Sequence, residues 1–181
     1  GRIALGESEL SPDDHAVYRT VGVVTHESML YDHLTARENL RFHADLHGLD
    51  DPAARVATVL DAVNLTPRAS DRPATFSHGM RKRLSLARAL LHGPAVLLLD
   101  EPYAGLDQRS VADLAAVLDE FDDRTVLLTT HDLDRGVERC DRALVVDRGQ
   151  VRADVDLDAT APASFEAAYR RAIGVDDGHG S

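Results

Sequence analysis

The fold is constrained most by two short apolar runs that each lead into polar side chains. Residues 95–99 are apolar throughout and continue directly into Asp100 and Glu101. Residues 125–130 form a second run, rich in Val, Leu and Thr, which continues into His131. Apolar strands separated by helical patterns are typical of a parallel sheet, whose ligand chemistry lies at the carboxyl ends of the strands. We therefore predict that Asp100, Glu101 and His131 follow the carboxyl ends of strands in one sheet.

Strand and helix patterns alternate over most of the chain. The predicted strands are residues 2–5, 21–25, 95–100, 125–130 and 143–147. The predicted helices are residues 52–63, 79–91, 110–121, 133–139 and 163–173, and one that starts after Thr35, where Thr35 and Glu38 have capping-box spacing. A turn is predicted at residues 11–14 and a disordered tail at residues 176–181. This pattern predicts an α/β fold with a parallel sheet covered on both faces and a helical insertion at about residues 35–91.

The amino-acid composition excludes several classes of protein. With 181 residues, of which 44% are hydrophobic, the chain can form one domain with a substantial core. The net charge of −11 argues against a nucleic-acid surface, which would be basic. It favours a salt-adapted cytosolic protein, with a GC-rich genome and an ordinary solvated surface as the alternative. No apolar run approaches the roughly 20 residues that span a bilayer. Cys140 is the single cysteine, which excludes an internal disulfide and fits a reducing compartment.

Two segments have residue types suited to phosphate chemistry. Adjacent carboxylates on a strand point in different directions, so Asp100 can hold a metal through water while Glu101 polarises a nucleophilic water. Ser77 is a favoured cap for a helix whose free backbone N–H groups attract phosphate oxygens. The structural alternatives are an acid that only ends a strand and a serine that only caps a helix. The charges that follow, on Arg81, Lys82 and Arg83, are predicted to be solvated.

In their order along the chain, these segments resemble the C-terminal part of an ABC-type ATPase. The corresponding features are the signature sequence (Phe76–Met80), the Walker B strand with its acids (Ala95–Glu101), the D-loop (Ala104–Asp107) and the switch histidine (His131). His26, after the apolar run at residues 21–25, stands in the place of the Q-loop glutamine. A further resemblance, to the ATPase of heme exporters of the cytochrome c maturation type, rests on His26, on Leu30–Thr35 leading into Glu38–Leu40, on Ser77–Met80 and on Leu128–Leu133.

The resemblance implies a P-loop NTPase core of ABC type over residues 1–175, with core segments at 1–34 and 92–160 and a helical subdomain at about 35–91. It implies ATP and Mg²⁺ as cofactors, with Glu101 and His131 catalytic and Asp100 holding Mg²⁺ through water. The residues implied to contact nucleotide are Ser77, His78, Gly79, Met80, Asp107 and His26, the last also a possible metal contact. The implied partners are a membrane permease and a second ATPase subunit, identical or paired, on the inner face of the cell membrane, with no nucleic acid and no direct membrane insertion.

The sequence also departs from the family pattern. It contains no phosphate-binding loop of the form G-x-x-x-x-G-K-S/T, since Lys82 is the only lysine and Arg83 follows it. The resemblance therefore implies that this loop lies upstream, and the chain without it is expected to be inactive. His78 replaces a signature glycine, and Phe76 and Met80 also differ from the common LSGGQ form.

Three other functions stay open at this stage. Drug exporters and other ABC-2-type exporters have a similar signature sequence, and the permease selects the substrate. A chromosome-maintenance or DNA-repair ATPase head also has these motifs on a piece without the phosphate loop, although the acidic charge disfavours DNA. A truncated ABC domain that binds a partner and hydrolyses nothing is the third alternative.

Overall fold

The computed structural model describes residues 2–6, 8–9, 15–119 and 124–174. The predicted turn at residues 11–14, the end of the helix predicted to reach residue 121 and the tail at residues 176–181 lie outside these ranges. The chain forms two compact units, residues 1–129 and residues 130–181. The domain boundaries drawn from the sequence stay a prediction. No helix in the described ranges is both long and apolar enough to cross a bilayer.

Most of the predicted helices and strands are present, with bounds that differ by a few residues, whereas the strand at residues 8–9 and the helix at residues 15–20 were not predicted. The first unit contains β1 (Ala4–Leu5), β2 (Ser8–Glu9), α1 (His15–Thr20), β3 (Val21–Val24), α2 (Ala36–Leu46), α3 (Pro52–Ala62), α4 (His78–Leu90), β4 (Val96–Asp100), α5 (Gln108–Asp119) and β5 (Thr125–Thr129). The second contains α6 (Leu133–Val137), β6 (Arg142–Asp147), β7 (Gln150–Asp156) and α7 (Pro162–Ala172). The strand predicted at residues 2–5 is shorter and pairs antiparallel with β2.

The centre of the first unit is a parallel sheet of three strands in the order β3-β4-β5. Its register aligns Val24 with Leu99 and Leu99 with Leu128, so these side chains share one face. That face packs against α4 and α5, where Leu97, Leu99 and the α5 residue Leu114 are buried. The predicted α/β fold with a parallel sheet is therefore confirmed.

The opposite face of this sheet is partly open to solvent. Val23 and Leu127, which flank Leu98 in one row across the sheet, are 39% and 56% exposed. The prediction that the sheet is covered on both faces is wrong for these residues. A continuous apolar run shows that a strand is apolar on both sides, but it does not show whether a helix packs on each side.

Gly22 allows β3 to approach α4 closely. A Cβ atom at this position would lie 2.5 Å from the carbonyl oxygen of Ala89 and 2.9 Å from the Leu97 side chain. Only a residue without a side chain fits such a contact. The single glycine in this apolar run therefore reflects the packing of helix on sheet.

The helices α2, α3 and α4 pack against one another. The capping box is confirmed, since Thr35 accepts a hydrogen bond from the Glu38 backbone and the Glu38 side chain accepts one from the Thr35 N–H. Asn39 is fully buried and bonds Tyr31 through both its amide oxygen and its amide nitrogen. These contacts join the loop after β3 to the first turn of α2.

Three histidines of the first unit lie close to the C-terminal half of α4 and to α2. The rings of His47 and His92 stack with centroids 4.3 Å apart. Burial lowers the pKa of both His43 and His92 to about 4, with neighbouring positive charges adding to the effect. His43 and His92 are therefore neutral at pH 7 and act as packing groups.

The second unit corrects the prediction for residues 143–147. This segment is not a further parallel strand, because β6 pairs antiparallel with β7, a strand that the sequence analysis missed. Arg148 and Gly149 join them with φ angles of 50° and 74°, the left-handed pair that suits a two-residue hairpin. One side of this hairpin packs against α7, where Val145, Leu157 and Phe165 form a small core.

Candidate functional site

Asp100 and Glu101 lie at the carboxyl end of the central strand β4. The register places Thr129 of β5 opposite Asp100, and the Thr129 hydroxyl donates to Asp100 Oδ1 at 2.7 Å. The backbone N–H of Glu101 donates to the Thr129 carbonyl at 3.1 Å. One threonine therefore contacts both residues of the acidic pair and fixes where the strand ends.

The backbone turns sharply at Glu101. Its φ of 45° lies in the left-handed region, which residues with a Cβ atom rarely adopt. The Glu101 carbonyl accepts two hydrogen bonds, from the Ala104 N–H and from Lys82 Nζ, each at 3.2 Å. This turn directs the chain away from β4 and into the loop at residues 102–107.

Lys82 is buried beside the acidic pair, contrary to the prediction that it is a solvated helix charge. Its exposed fraction is 7%, and burial lowers the pKa of its ammonium, an effect that the Asp100 and Glu101 carboxylates oppose. The same prediction is wrong for Arg81, which donates to Asp32 and Ser28, and for Arg83, which donates to the Val63 carbonyl. Position 82 lies one helical turn before the buried Leu86 and therefore on the same buried face of α4. This spacing predicts burial, whereas the run of three positive charges predicts exposure.

The N-terminus of α4 contacts the loop that follows the acidic pair. Ser77 caps the helix by accepting from the Met80 N–H at 3.2 Å. The His78 ring Nε2 lies 3.2 Å from the Ala104 carbonyl oxygen. A Cβ atom on Gly79 would lie 2.4 Å from the Ser110 hydroxyl, so a side chain has no room there. The signature segment and the loop therefore form one contiguous surface within the first unit.

Asp107 ends this loop and begins α5. Its carboxylate accepts from the Ser110 N–H at 2.7 Å, and this hydrogen bond is the main reason that the pKa of Asp107 is below its usual value. Asp107 is therefore held as an anion at the start of a helix.

His26 and His131, the two remaining predicted site residues, follow other strands. His26 is exposed in the loop after β3, the neighbour of β4, and so lies toward the same edge of the sheet as Asp100. His131 belongs to the second unit, where it precedes α6, and the adjacent Thr130 hydroxyl accepts from the Asp132 N–H at 3.0 Å. In sequence it follows the end of β5 by two residues.

The donor set at the end of β4 fits a hydrated magnesium ion. Within the described part of the chain, no group of three or more His, Cys, Asp or Glu side chains could hold a metal ion. Mg²⁺ does not require such a group, because it is usually bound through one or two carboxylates, with water and phosphate oxygens as the other ligands. The exposed Asp100, oriented by Thr129, can serve as such a carboxylate.

Comparisons with known proteins agree on the family. The family model described as "ABC transporter" matches residues 1–104. The chain is 35% identical to the linearmycin resistance ATP-binding protein of Bacillus subtilis, over 84% of this chain and 50% of that protein. It is 38% identical to a sulfate/thiosulfate import ATP-binding protein of Synechococcus elongatus, over 74% of this chain and 40% of that protein. This chain thus spans about half or less of the length of these relatives.

A solved structure agrees with this assignment. The structure of an ATP-binding subunit of an ABC transporter superposes with a TM-score of 0.78 at 26% identity, covering 93% of this chain and 75% of that one. The similarity therefore extends well beyond the stretch that the family model matches.

Proposed function

This chain belongs to the ABC transporter family as an ATP-binding domain, and from that premise we propose that the whole protein hydrolyses ATP to drive a membrane permease. The observation that carries the proposal is the pair Asp100 and Glu101 at the carboxyl end of β4, beside the capped N-terminus of α4. Ligands of open α/β sheets bind at this edge.

The proposed roles follow from the chemistry of each group. Asp100 holds Mg²⁺ through water, and Mg²⁺ when bound neutralises charge on the phosphates. Glu101 accepts a proton from the water that attacks the terminal phosphate. His131 contacts that phosphate, and His26 occupies the place of the Q-loop glutamine near the metal.

The signature segment supports a head-to-tail dimer. The N-terminus of α4 offers backbone N–H groups and a positive dipole end, both suited to phosphate oxygens. We propose that Ser77, His78, Gly79 and Met80 contact ATP held by a second subunit, with Asp107 at the same interface. The contact between His78 and the Ala104 carbonyl would let the signature segment and the D-loop move together.

Exposed apolar side chains on α2 and on the loop that follows β3 support a permease as partner. This patch consists of Met29, Tyr31, Phe42 and Leu46, which are 58%, 42%, 41% and 68% exposed. The rings of Tyr31 and Phe42 meet edge to face at 5.2 Å, so the patch is continuous there. Exposed apolar patches mark interaction sites. We propose that this patch binds the permease at the cytoplasmic face of the membrane.

Replacing Asp100 with asparagine tests the enzymatic role. In the full-length protein we expect Mg²⁺-dependent ATP hydrolysis to fall by about 100-fold or more, because metal stabilisation of the transition state is worth several kcal/mol. Asp50→Asn is the control, since Asp50 is an exposed carboxylate in the loop before α3. Equal rates for the two variants would refute the role of Asp100. A wild-type protein without Mg²⁺-dependent hydrolysis would favour the non-catalytic alternative.

Two substrates are proposed, on different observations. The sequence strings at residues 30–35 and 128–133 support heme export, while similarity to the linearmycin resistance protein supports a drug exporter. Deleting the gene in its native host separates them. Heme export predicts loss of c-type cytochromes with unchanged linearmycin tolerance, and drug export predicts the reverse, with restoration by the wild-type gene as the control. Loss of neither phenotype would exclude both substrates.

A further inference from the structure

The turn at Glu101 depends on hydrogen bonds from two other elements of the first unit. Its N–H donates to the Thr129 carbonyl of β5, and its carbonyl accepts from Lys82 of α4. Because φ is 45° at a residue with a Cβ atom, the conformation persists only where the surroundings hold it. The direction of the Glu101 side chain therefore depends on these donors and acceptors.

A buried lysine is an unusual donor for the hydrogen bond to the Glu101 carbonyl. Lys82 is the only lysine in 181 residues and is 7% exposed. Its neighbours in the crevice between α4, α5 and the sheet are apolar, including Val24, Leu86 and Leu99. An ammonium group in such surroundings is unfavourable unless hydrogen bonds compensate its lost hydration. The Glu101 carbonyl provides such a bond, beside the two carboxylates.

We propose that Lys82 is a positioning residue that holds the backbone of Glu101 and so aims its carboxylate at the attacking water. This inference rests on the proposed ATPase function and adds a residue to it. Since Lys82 lies on α4, five residues after the cap Ser77, it also joins the nucleotide-facing end of that helix to the acidic pair of the same subunit. Displacement of α4 would then displace Glu101.

The test compares variants of Lys82 in the full-length protein. We expect Lys82→Met, which keeps the length of the side chain and removes the donor, to lower kcat by about 10- to 100-fold with KM for ATP unchanged, because misplacing a catalytic group by about 1 Å costs this much. Lys82→Arg keeps a cationic donor and is expected to recover most of kcat. Arg55→Met is the matched control, since Arg55 is a half-buried cation that also donates to backbone carbonyls, but to those of Leu90 and Leu91 at the C-terminal end of α4, away from Glu101. This control is expected to retain kcat.

A double variant separates positioning from stability. If Lys82 acts through Glu101, Lys82→Met causes no further loss of turnover in a Glu101→Gln background. An additive loss, or an unchanged kcat in the single variant, overturns the proposal. If Lys82→Met does not fold, Lys82→Leu, which also lacks a donor, is compared with Lys82→Arg in the same two backgrounds, and equal kcat values for them overturn it.

A readout without turnover keeps this proposal separate from the proposed function. The carbonyl of Glu101, labelled with ¹³C, is expected to change its chemical shift in Lys82→Met and to keep it in Arg55→Met. An unchanged shift in Lys82→Met overturns the positioning role whatever the enzymatic activity. A wild type without ATP hydrolysis overturns the proposed function, and the carbonyl shift still decides whether Lys82 holds Glu101.

Discussion

Replacing Glu101 with glutamine is expected to lower ATP turnover of the full-length protein by about 100- to 10,000-fold, the range for loss of a general base. Glutamine has nearly the same shape as glutamate but cannot accept a proton from the attacking water. The hydrogen bonds at Glu101 that hold the turn involve its backbone N–H and carbonyl, which the substitution keeps. The loss should therefore appear in kcat, with ATP binding retained.

The same variant is expected to accumulate an ATP-bound dimer, because hydrolysis would normally separate the subunits. Light scattering with and without ATP and Mg²⁺ measures this directly. Glu138→Gln is the matched control, since Glu138 is an exposed glutamate to which no role in the proposed site is assigned. Unchanged turnover in Glu101→Gln would remove Glu101 from its assigned role, and a monomer in the presence of ATP would contradict the proposed dimer.

Local patterns predicted most of the elements of the first unit. The apolar run before Asp100 became β4, and the Thr35–Glu38 spacing became a capping box, because both depend on residues close together in sequence. The order of the motifs also indicated the family, since spacing along a chain is itself a sequence property. The Asp100 and Glu101 pair was found for the same reason.

Local patterns do not predict contacts between residues that are distant in sequence. Lys82 contacts a carbonyl 19 positions away, and Thr129 contacts Asp100 across 29 positions. Neither pair has a local signature, so the charge pattern predicts a solvated lysine and the apolar run predicts only a strand residue at the threonine. Similarly, the antiparallel pairing of β6 depends on a two-residue turn at Arg148 and Gly149. The apolar pattern of residues 143–147 predicts a strand but does not indicate this turn or the partner strand that follows it.

Replacing Leu97 with alanine is expected to cause a large loss of stability, about 2–5 kcal/mol, as for other fully buried leucines. Leu97 is 0% exposed at the centre of β4 and packs in the core formed by the sheet, α4 and α5. Because β4 pairs with strands on both sides, the backbone around it has little freedom to collapse into the cavity. Such a cost is a large share of the stability of a typical domain. Urea unfolding of the 181-residue chain measures it.

Leu127→Ala is the matched control for that loss. Leu127 is also a leucine of the same sheet, but it is 56% exposed on the opposite face. Surface substitutions usually change stability by less than about 0.5 kcal/mol, so this variant should unfold close to the wild type. Equal destabilisation by the two substitutions would mean that the outer face of the sheet is packed as tightly as the inner one. The exposure of Leu127 would then be wrong, because a leucine that costs as much to truncate as Leu97 must be buried by other residues.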